Sequence, residues 1–145
     1  MTYETLKVES LNSICVMAFN RPDKLNAFDR QMVIETQDAI KNISEDNSIK
    51  VVIVTGTGKG FSAGADLSDP TGMDDHSNGR LVYEGLVNGY MPSLAGIMNM
   101  PKPVIAAVNG PAAGIGSAFA LACDLMVMSE SAYLKQAFVH IALIP

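Results

Sequence analysis

Two segments of the chain share one order of features: an apolar run, a glycine-rich turn and then small side chains. They are residues 51–67, VVIVTGTGKGFSAGADL, and residues 104–124, VIAAVNGPAAGIGSAFALACD. An apolar run of this length that ends at glycines is typical of a buried strand, and such strands are typical of parallel sheets. Because glycine has no side chain, each turn can bring backbone N–H groups close to a ligand. Two N–H groups that converge on one oxygen would form an oxyanion hole.

The rest of the chain supplies further strands and helices. The β-branched run at residues 13–19 predicts a strand. Asp29 can cap a helix over residues 30–45, whose apolar side would carry Val33, Ile34, Ile40 and Ile43. We also predict strands at 51–54 (buried on both faces), 104–108 and 125–128, helices over 80–99 and from the 110–116 turn to about Cys123, and a mobile loop over 69–79. This alternation predicts an α/β fold with much parallel pairing, in one domain.

The composition excludes several classes of partner. The formal net charge is −5 and the chain has no run of Lys or Arg, so nucleic acid is not an expected partner. The chain begins with no signal-peptide core and has no apolar run that could span a bilayer, which predicts a cytoplasmic protein with no membrane partner. Cys15 and Cys123 lie in apolar stretches and are expected to be buried free thiols in a reducing compartment. No His, Cys or Asp cluster has metal-ligand spacing, so we predict no metal.

The second glycine-rich turn has an alternative interpretation. The spacing Gly110-x-x-x-Gly114-x-Gly116 after a strand is that of the dinucleotide fingerprint of NAD(P)-dependent short-chain reductases, and Glu130 follows the next strand. That fingerprint normally follows the first strand of a domain, whereas here about a hundred residues precede it. The helix that ends before Asp124 is also short for such a fold. The reductase interpretation is therefore disfavoured, although it stays open.

Three motifs, in this order along the chain, resemble those of the enoyl-CoA hydratase/isomerase (crotonase) superfamily. They are residues 20–28 (NRPDKLNAF), residues 60–67 (GFSAGADL) and residues 102–124, which run from Lys-Pro through Asn-Gly to Cys-Asp. The resemblance implies a crotonase-like spiral of β-β-α units that binds acyl-CoA thioesters and stabilises their enolates. It covers residues 1–145 as the N-terminal core of one such domain, and it implies a C-terminal part that this chain does not contain. It also implies a homotrimer or hexamer, with CoA as part of the substrate and no other cofactor.

The resemblance also implies roles for individual positions. Ala65 and Ile115 match the two residues whose backbone N–H groups form the oxyanion hole. The positions that match the CoA-binding residues of the superfamily are Lys24, Ala27, Ala63, Asp66 and Leu67. The positions assigned to the acyl pocket are Gly64, Gly114 and Phe138, and residues 70–100 are expected to contribute to the same pocket.

Departures from the superfamily pattern bear on the reaction. The positions that match the two catalytic glutamates of the hydratases carry Ala118 and Phe138, and neither side chain can move a proton. An isomerase is therefore favoured over a hydratase, with the acid/base residue expected just after Pro145. A strand through Phe138 would place His140 on the same face, as a second candidate base. A non-catalytic member that only binds acyl-CoA or serves in assembly stays open, and residues 1–145 alone are expected to bind CoA weakly and to be inactive.

Overall fold

The computed structural model describes residues 2–68 and 79–141, and its main feature is a five-stranded sheet. Within these residues, the strands are β1 Leu6–Leu11, β2 Ile14–Phe19, β3 Val51–Gly56, β4 Val104–Val108, β5 Ala112–Ala113, β6 Leu125–Met128 and β7 Leu134–Lys135. The α-helices are α1 Arg30–Glu45, α2 Gly79–Gly85, α3 Met91–Met98 and α4 Ile115–Ala122. Short 3-10 turns lie at Pro22–Lys24 and Phe138–Ile141. The loop predicted to be mobile over 69–79, which contains His76, lies outside the described residues except for Gly79.

The strand order in the large sheet is β1-β2-β3-β4-β6. β1 and β2 form an antiparallel hairpin in which Leu6 pairs with Phe19. β2, β3, β4 and β6 are all parallel to one another, which confirms the predicted parallel pairing. β1 has no counterpart among the predicted strands. It is an edge strand with charged residues in it, so its extended form depends on pairing with β2 more than on a strong local signal.

The parallel strands lead in turn into a second, smaller layer. β4 is followed by β5 and α4, and β6 is followed by β7 and the turn at Phe138–Ile141. β5 pairs in parallel with β7, and an isolated bridge joins Ser62, which follows β3, to Ala112 in β5. The chain therefore repeats a path from the large sheet to the small layer and then to a helix or turn. This confirms the predicted α/β spiral of β-β-α units.

The core contains aromatic rings from four separate segments. Phe19 at the end of β2 meets Phe28, Phe61 and Phe119 edge-on, with ring centroids 5.0, 5.4 and 5.6 Å away. Phe28 and Phe119 stack with their centroids 4.9 Å apart. Such ring pairs contribute about 0.5–1.5 kcal/mol each beyond the area that they bury. The cluster fixes the first motif, the first glycine-rich turn and α4 against β2, so the core itself positions the segments that carry the predicted site.

The helix predicted over residues 30–45 is α1, and it begins as predicted. The Asp29 side chain accepts a hydrogen bond of 2.8 Å from the Met32 N–H, which satisfies one of the donors at the start of the helix. The predicted apolar side is wrong at Ile34, whose side chain is 52% exposed. Val33 and Ile40 are buried, and a single step along a helix turns the side chain by about 100°. Ile34 therefore lies beside the buried face of α1 and not on it.

The C-terminal end of α1 is held by Lys102, a residue of the third motif. Its ammonium group donates hydrogen bonds to the backbone carbonyls of Ile43, Ser44 and Asp46. These carbonyls lie where a helix runs out of internal donors, and a cation there also interacts favourably with the helix dipole. Lys102 thus joins the segment before β4 to the end of α1.

The helix predicted over residues 80–99 is present, but it is interrupted where its glycines and proline predict. α2 ends at Gly85, a π-helical segment covers Leu86–Tyr90, and α3 begins at Met91 with Pro92 in its first turn. Proline has no N–H to donate and is tolerated in the first turn of a helix. The π segment places Pro92 in that position, so the helical path can continue past it.

Two burial predictions are corrected by the structure. β3 is fully buried on one face only: Val52 and Val54 are buried, whereas the residues that alternate with them are partly exposed. Cys15 is buried as predicted, but Cys123 is partly exposed. Burial of the Cys123 sulfur, with a smaller contribution from the nearby Asp124 carboxylate, raises the pKa of this thiol to about 12. Cys123 is therefore a poor nucleophile at neutral pH.

Candidate oxyanion site

The first glycine-rich turn presents the N–H group of Ala65. In an isolated parallel bridge, the Phe28 N–H donates to the Gly64 carbonyl over 2.7 Å, and the Asp66 N–H donates to the Phe28 carbonyl over 2.9 Å. Successive N–H groups of an extended chain point to opposite sides. The Ala65 N–H therefore points away from Phe28, and no backbone carbonyl in residues 2–68 or 79–141 accepts a hydrogen bond from it.

The second turn presents the N–H group of Ile115, the first residue of α4. The N–H groups in the first turn of a helix have no acceptor inside the helix, and they lie at the positive end of its dipole. Gly64 brings the two turns together: a Cβ added to it would lie 2.8 Å from the Ala113 carbonyl oxygen and 3.6 Å from the Ile115 nitrogen. Its φ of +95° also requires glycine. Since Gly64 directly precedes Ala65, the two predicted donors lie at adjoining edges of the turns.

The isoleucine side chain at position 115 has a place in the core. Ile115 is 7% exposed and belongs to the buried cluster that contains Phe119. Gly114 precedes it with φ 50° and ψ −123°, a conformation that residues with a Cβ rarely adopt, and this turns the chain from β5 into α4. A bulky residue at the second donor position is therefore compatible with an N–H group that faces out of the helix end.

Four of the predicted CoA-binding residues lie in two loops that are hydrogen-bonded to each other. The Ala63 N–H donates to the Leu25 carbonyl over 2.9 Å, and the Ala27 N–H donates to the Lys24 carbonyl over 3.1 Å. Lys24, Ala63 and Leu67 are exposed, whereas Ala27 is buried. The structure thus brings these positions together beside Ala65. An exposed lysine in such a loop is suited to a phosphate group.

Asp66, the fifth predicted CoA-binding residue, uses its side chain inside the protein. It is 8% exposed, and one carboxylate oxygen accepts hydrogen bonds from the Ser68 N–H at 3.1 Å and the Ser68 hydroxyl at 2.6 Å. The other oxygen forms an ion pair with Arg21 at 3.0 Å. The Ser68 hydroxyl, with the Ser68 N–H and Arg21, outweighs the effect of burial and holds the pKa of Asp66 below its usual range. The Asp66 side chain is therefore bound within the protein, and only its backbone is left to contact a ligand.

The predicted acyl-pocket positions Gly114 and Phe138 are connected by the pairing of β5 with β7. The Gly114 N–H donates to the Lys135 carbonyl over 2.9 Å, and the turn that begins at Phe138 follows closely in the chain. Phe138 is partly buried. Ala118 lies one turn into α4, where its N–H donates to the Gly114 carbonyl over 3.1 Å. Of the two positions that match the hydratase glutamates, Ala118 thus lies on α4, which begins at Ile115, and Phe138 follows β7, which pairs with β5.

His140 lies in the 3-10 turn Phe138–Ile141 and not on a strand. The strand through Phe138, on which the prediction for His140 depended, is therefore not formed. Of the acidic residues near the predicted loop, Glu84 lies in α2 and pairs with Arg80 over 2.8 Å. The acids at positions 69, 74 and 75 fall outside the described residues.

The glycines of the second turn fit against the first turn. A Cβ added at Gly110 would lie 2.1 Å from the Lys59 carbonyl oxygen, and one added at Gly116 would lie 2.5 Å from the Ser62 carbonyl oxygen. In a dinucleotide-binding turn, the corresponding glycines make room for a pyrophosphate. Here they make room for the protein's own backbone, and the helix that follows has only eight residues. The geometry of this turn therefore does not favour the reductase interpretation.

Two asparagines of the motifs, to which sequence reasoning assigned no role, hold the loop after β3. The fully buried Asn26 amide donates to the Thr57 and Gly60 carbonyls, each over 2.9 Å. The Asn109 side chain accepts a hydrogen bond of 3.1 Å from the Gly56 N–H. A side-chain amide can satisfy both N–H and C=O groups of a loop that has no regular pairing. Asn109 directly precedes the second glycine-rich turn, which is a signal that sequence reasoning could have used. Asn26 lies 31 residues from Thr57, and no local pattern identifies its role.

Within residues 2–68 and 79–141, no three His, Cys, Asp or Glu side chains come together as metal ligands. Over those same ranges, none of the helices combines the length and apolar character that crossing a bilayer requires. Two open clefts of about 440 and 510 Å³ lie beside β1, and the predicted site residues do not line them. What the two turns offer to a ligand is a pair of backbone N–H donors.

The chain matches known proteins along its whole length. The family model for enoyl-CoA hydratase/isomerase matches residues 9–145. The chain is 35% identical over 132 residues to a 1,2-epoxyphenylacetyl-CoA isomerase of Escherichia coli (strain K12), with 91% of this chain and 50% of that protein covered. It is 34% identical over 149 residues to a probable enoyl-CoA hydratase of Rhizobium meliloti, with 100% of this chain and 54% of that protein covered.

Solved structures agree with these sequence matches. An enoyl-CoA hydratase from Bacillus anthracis has a crystal structure that superposes with a TM-score of 0.88 at 33% identity, over 98% of this chain and 54% of that chain. The chain thus spans about half the length of the curated relatives that it matches.

Proposed function

This chain belongs to the enoyl-CoA hydratase/isomerase family, and we propose that the whole protein binds an acyl-CoA thioester with its carbonyl oxygen at the N–H groups of Ala65 and Ile115. The observation that carries the proposal is the close contact of the two glycine-rich turns at Gly64. Fixed backbone donors stabilise the negative charge that develops on the thioester oxygen when a neighbouring carbon loses a proton. Each such donor typically contributes about 2.7–4 kcal/mol to transition-state stabilisation.

The CoA part of the substrate is proposed to lie along the adjoining loops beside Ala65. The Lys24 ammonium group would face a phosphate, and the other contacts would come mainly from backbone groups of Ala27, Ala63, Asp66 and Leu67. The acyl chain would run past Gly64, Gly114 and Phe138. No cofactor other than the CoA of the substrate is proposed.

We propose that the reaction moves a double bond along the acyl chain and does not add water to it. Ala118 and Phe138 occupy the positions that match the hydratase glutamates, and neither can activate water. In an isomerisation, one carboxylate can take a proton from the α-carbon while the electron pair moves towards the thioester oxygen. The same group then returns the proton to the γ-carbon, so no oxidant or reductant is needed. We propose that a residue just after Pro145 in the whole protein supplies this carboxylate.

The names of the relatives are compatible with this choice but do not decide it. One relative is named an isomerase of 1,2-epoxyphenylacetyl-CoA, and another is named a probable enoyl-CoA hydratase. The family therefore includes both reaction types. The argument for isomerisation is that Ala118 and Phe138 occupy the positions that match the hydratase glutamates.

Turnover of a 3-enoyl-CoA by the whole protein tests the proposal. The expected result is a conjugated 2-enoyl-CoA, followed by ultraviolet absorbance, with no water added according to the mass of the product. In deuterium oxide the product should carry deuterium on the acyl chain to the extent that the proton on the carboxylate exchanges with solvent before it is returned. Formation of a 3-hydroxyacyl-CoA would instead identify a hydratase and contradict the isomerase proposal.

A second candidate function is acyl-CoA binding without turnover, which the two non-ionisable residues at the glutamate positions favour. Tight binding of an acyl-CoA by the whole protein, with no exchange of the α-proton, would support it. Protection by NADH but not by an acyl-CoA would support the reductase alternative. We also propose a homotrimer or hexamer in the cytoplasm, and light scattering of the purified whole protein measures the assembly.

A further inference from the structure

Arg21 contacts three segments that meet beside Ala65. Its guanidinium group forms ion pairs with Asp29 and Asp66, each at 3.0 Å and each through a different nitrogen. The same group donates a hydrogen bond to the Ala27 carbonyl. The Arg21 side chain is 19% exposed and that of Asp66 is 8% exposed, so the second ion pair is largely shielded from water. One residue of the first motif thus links the predicted CoA-binding loop, the cap of α1 and the residue after Ala65.

Both carboxylates are also bound on their other sides. The second oxygen of Asp29 accepts the 2.8 Å hydrogen bond from the Met32 N–H that caps α1. The second oxygen of Asp66 accepts hydrogen bonds from the N–H and the hydroxyl of Ser68. Because both oxygens of each carboxylate are held, neither can follow a displaced Arg21 without moving its own segment. Arg21 therefore couples the position of the Ala65 segment to that of α1.

The geometry requires an arginine. A guanidinium group is planar and presents donors in fixed directions, so it can bind two carboxylates at once. A lysine at position 21 would supply the charge from a single point and would hold one carboxylate at a time. Without any cation, the largely buried Asp66 carboxylate would keep its hydrogen bonds from Ser68 but lose its charged partner, which is strongly destabilising for a buried charge. The Asp66 segment would then move towards solvent and carry Ala65 with it.

We propose that Arg21 is a positioning residue for the oxyanion hole: its ion pair with Asp66 holds the Ala65 N–H where that group donates to the thioester oxygen. This inference rests on the proposed function, which assigns that N–H to the substrate. Misplacing a catalytic group by 1 Å can lower the rate by about 10²-fold. Arg21 stands apart from the reacting atoms, so its loss should lower kcat more than it raises KM.

The test compares Arg21→Gln with Arg21→Lys and with Asp29→Asn in the whole protein. Asp29→Asn weakens the ion pair between Arg21 and position 29 but leaves the ion pair between Arg21 and Asp66. Asparagine is also a good helix cap, so the start of α1 should be kept. Arg21→Gln should lower kcat by about 10- to 100-fold with a smaller change in KM. The kcat of Arg21→Lys should lie between those of Arg21→Gln and the wild type. The kcat of Asp29→Asn should stay close to that of the wild type.

Amide hydrogen exchange supplies a readout that does not need turnover. The Asp66 N–H, which is bonded to the Phe28 carbonyl, should exchange faster in Arg21→Gln, whereas amides of β3 should not change. A variant Arg21→Gln that melts earlier but keeps its kcat would overturn the inference, and so would an equal loss of kcat in Asp29→Asn. If the wild type turns over no acyl-CoA, the proposed function fails. Unchanged exchange at Asp66 in Arg21→Gln would then overturn the positioning role separately.

Discussion

The proposed N–H donor of Ile115 can be removed by one substitution, because Ile115 is the first residue of α4. Proline is well tolerated at that position of a helix, where the N–H has no partner within the helix and φ is already suitable. Ile115→Pro therefore deletes the second donor while the backbone of α4 can stay in place. Ile115→Ala is the matched control, since it also shortens the side chain but keeps the N–H.

The expected loss of rate follows from the donor alone. Removing one oxyanion-hole donor raises the barrier by about 2.7–4 kcal/mol, which lowers kcat by about 10²–10³-fold. Both variants also lose packing, because the Ile115 side chain is 7% exposed and lies in the core. Cutting a buried isoleucine back to alanine costs about 2–5 kcal/mol of folding free energy. Since both variants lose packing of this kind, the ratio of their kcat values reports the N–H group.

The assay is turnover of an acyl-CoA by the whole protein at saturating substrate, well below the Tm of each variant. Circular dichroism confirms that each variant is folded at the assay temperature. Ile115→Ala should keep a kcat close to that of the wild type, and Ile115→Pro should show the full loss. Equal kcat values for the two variants would mean that the Ile115 N–H does not act in the reaction. The assignment of the second turn to the oxyanion hole would then be wrong.

Three further predictions concern stability. Lys102→Met should lower the free energy of unfolding by about 1.5–3 kcal/mol in urea titrations, because the carbonyls at the end of α1 lose a charged donor; an unchanged value would contradict this. Burial would raise the pKa of Glu35, but hydrogen bonds from the segment before β1 outweigh it and hold that pKa below its ordinary value. Glu35 therefore adds stability above its unfolded-state pKa that is lost as pH falls through its folded-state pKa, and Glu35→Gln should flatten this part of the pH–Tm curve; an unaltered curve would refute the assignment. Gly116→Ala should destabilise by about 1–3 kcal/mol, because the new Cβ would lie 2.5 Å from the Ser62 carbonyl oxygen. Gly79→Ala, where a Cβ meets nothing within 4 Å, is its control, and equal Tm values for the two would count against the packing argument.

Much of the fold could be predicted from the sequence because its signals are local. Asp29 caps α1 through a residue three positions away, and the apolar runs that end at glycines form β3 and β4. Pro92 marks a real interruption of the second helical region. Burial was harder to predict, since Ile34 is apolar yet exposed. Which face of a helix is covered depends on what packs against it, and that is not a local property.

The candidate site, like the fold, could be predicted from the sequence only in part. By itself, the sequence determined the α/β class and the motifs, and the family resemblance of those motifs implied Ala65 and Ile115 as candidate donors. Only the tertiary structure decided that Gly64 brings the two turns into contact, that Asp66 is paired with Arg21, and that His140 lies in a 3-10 turn and not on a strand. The physical reason is separation along the chain: Arg21 and Asp66 are 45 residues apart. Such contacts depend on how the sheet and the aromatic core pack, and no local pattern encodes them.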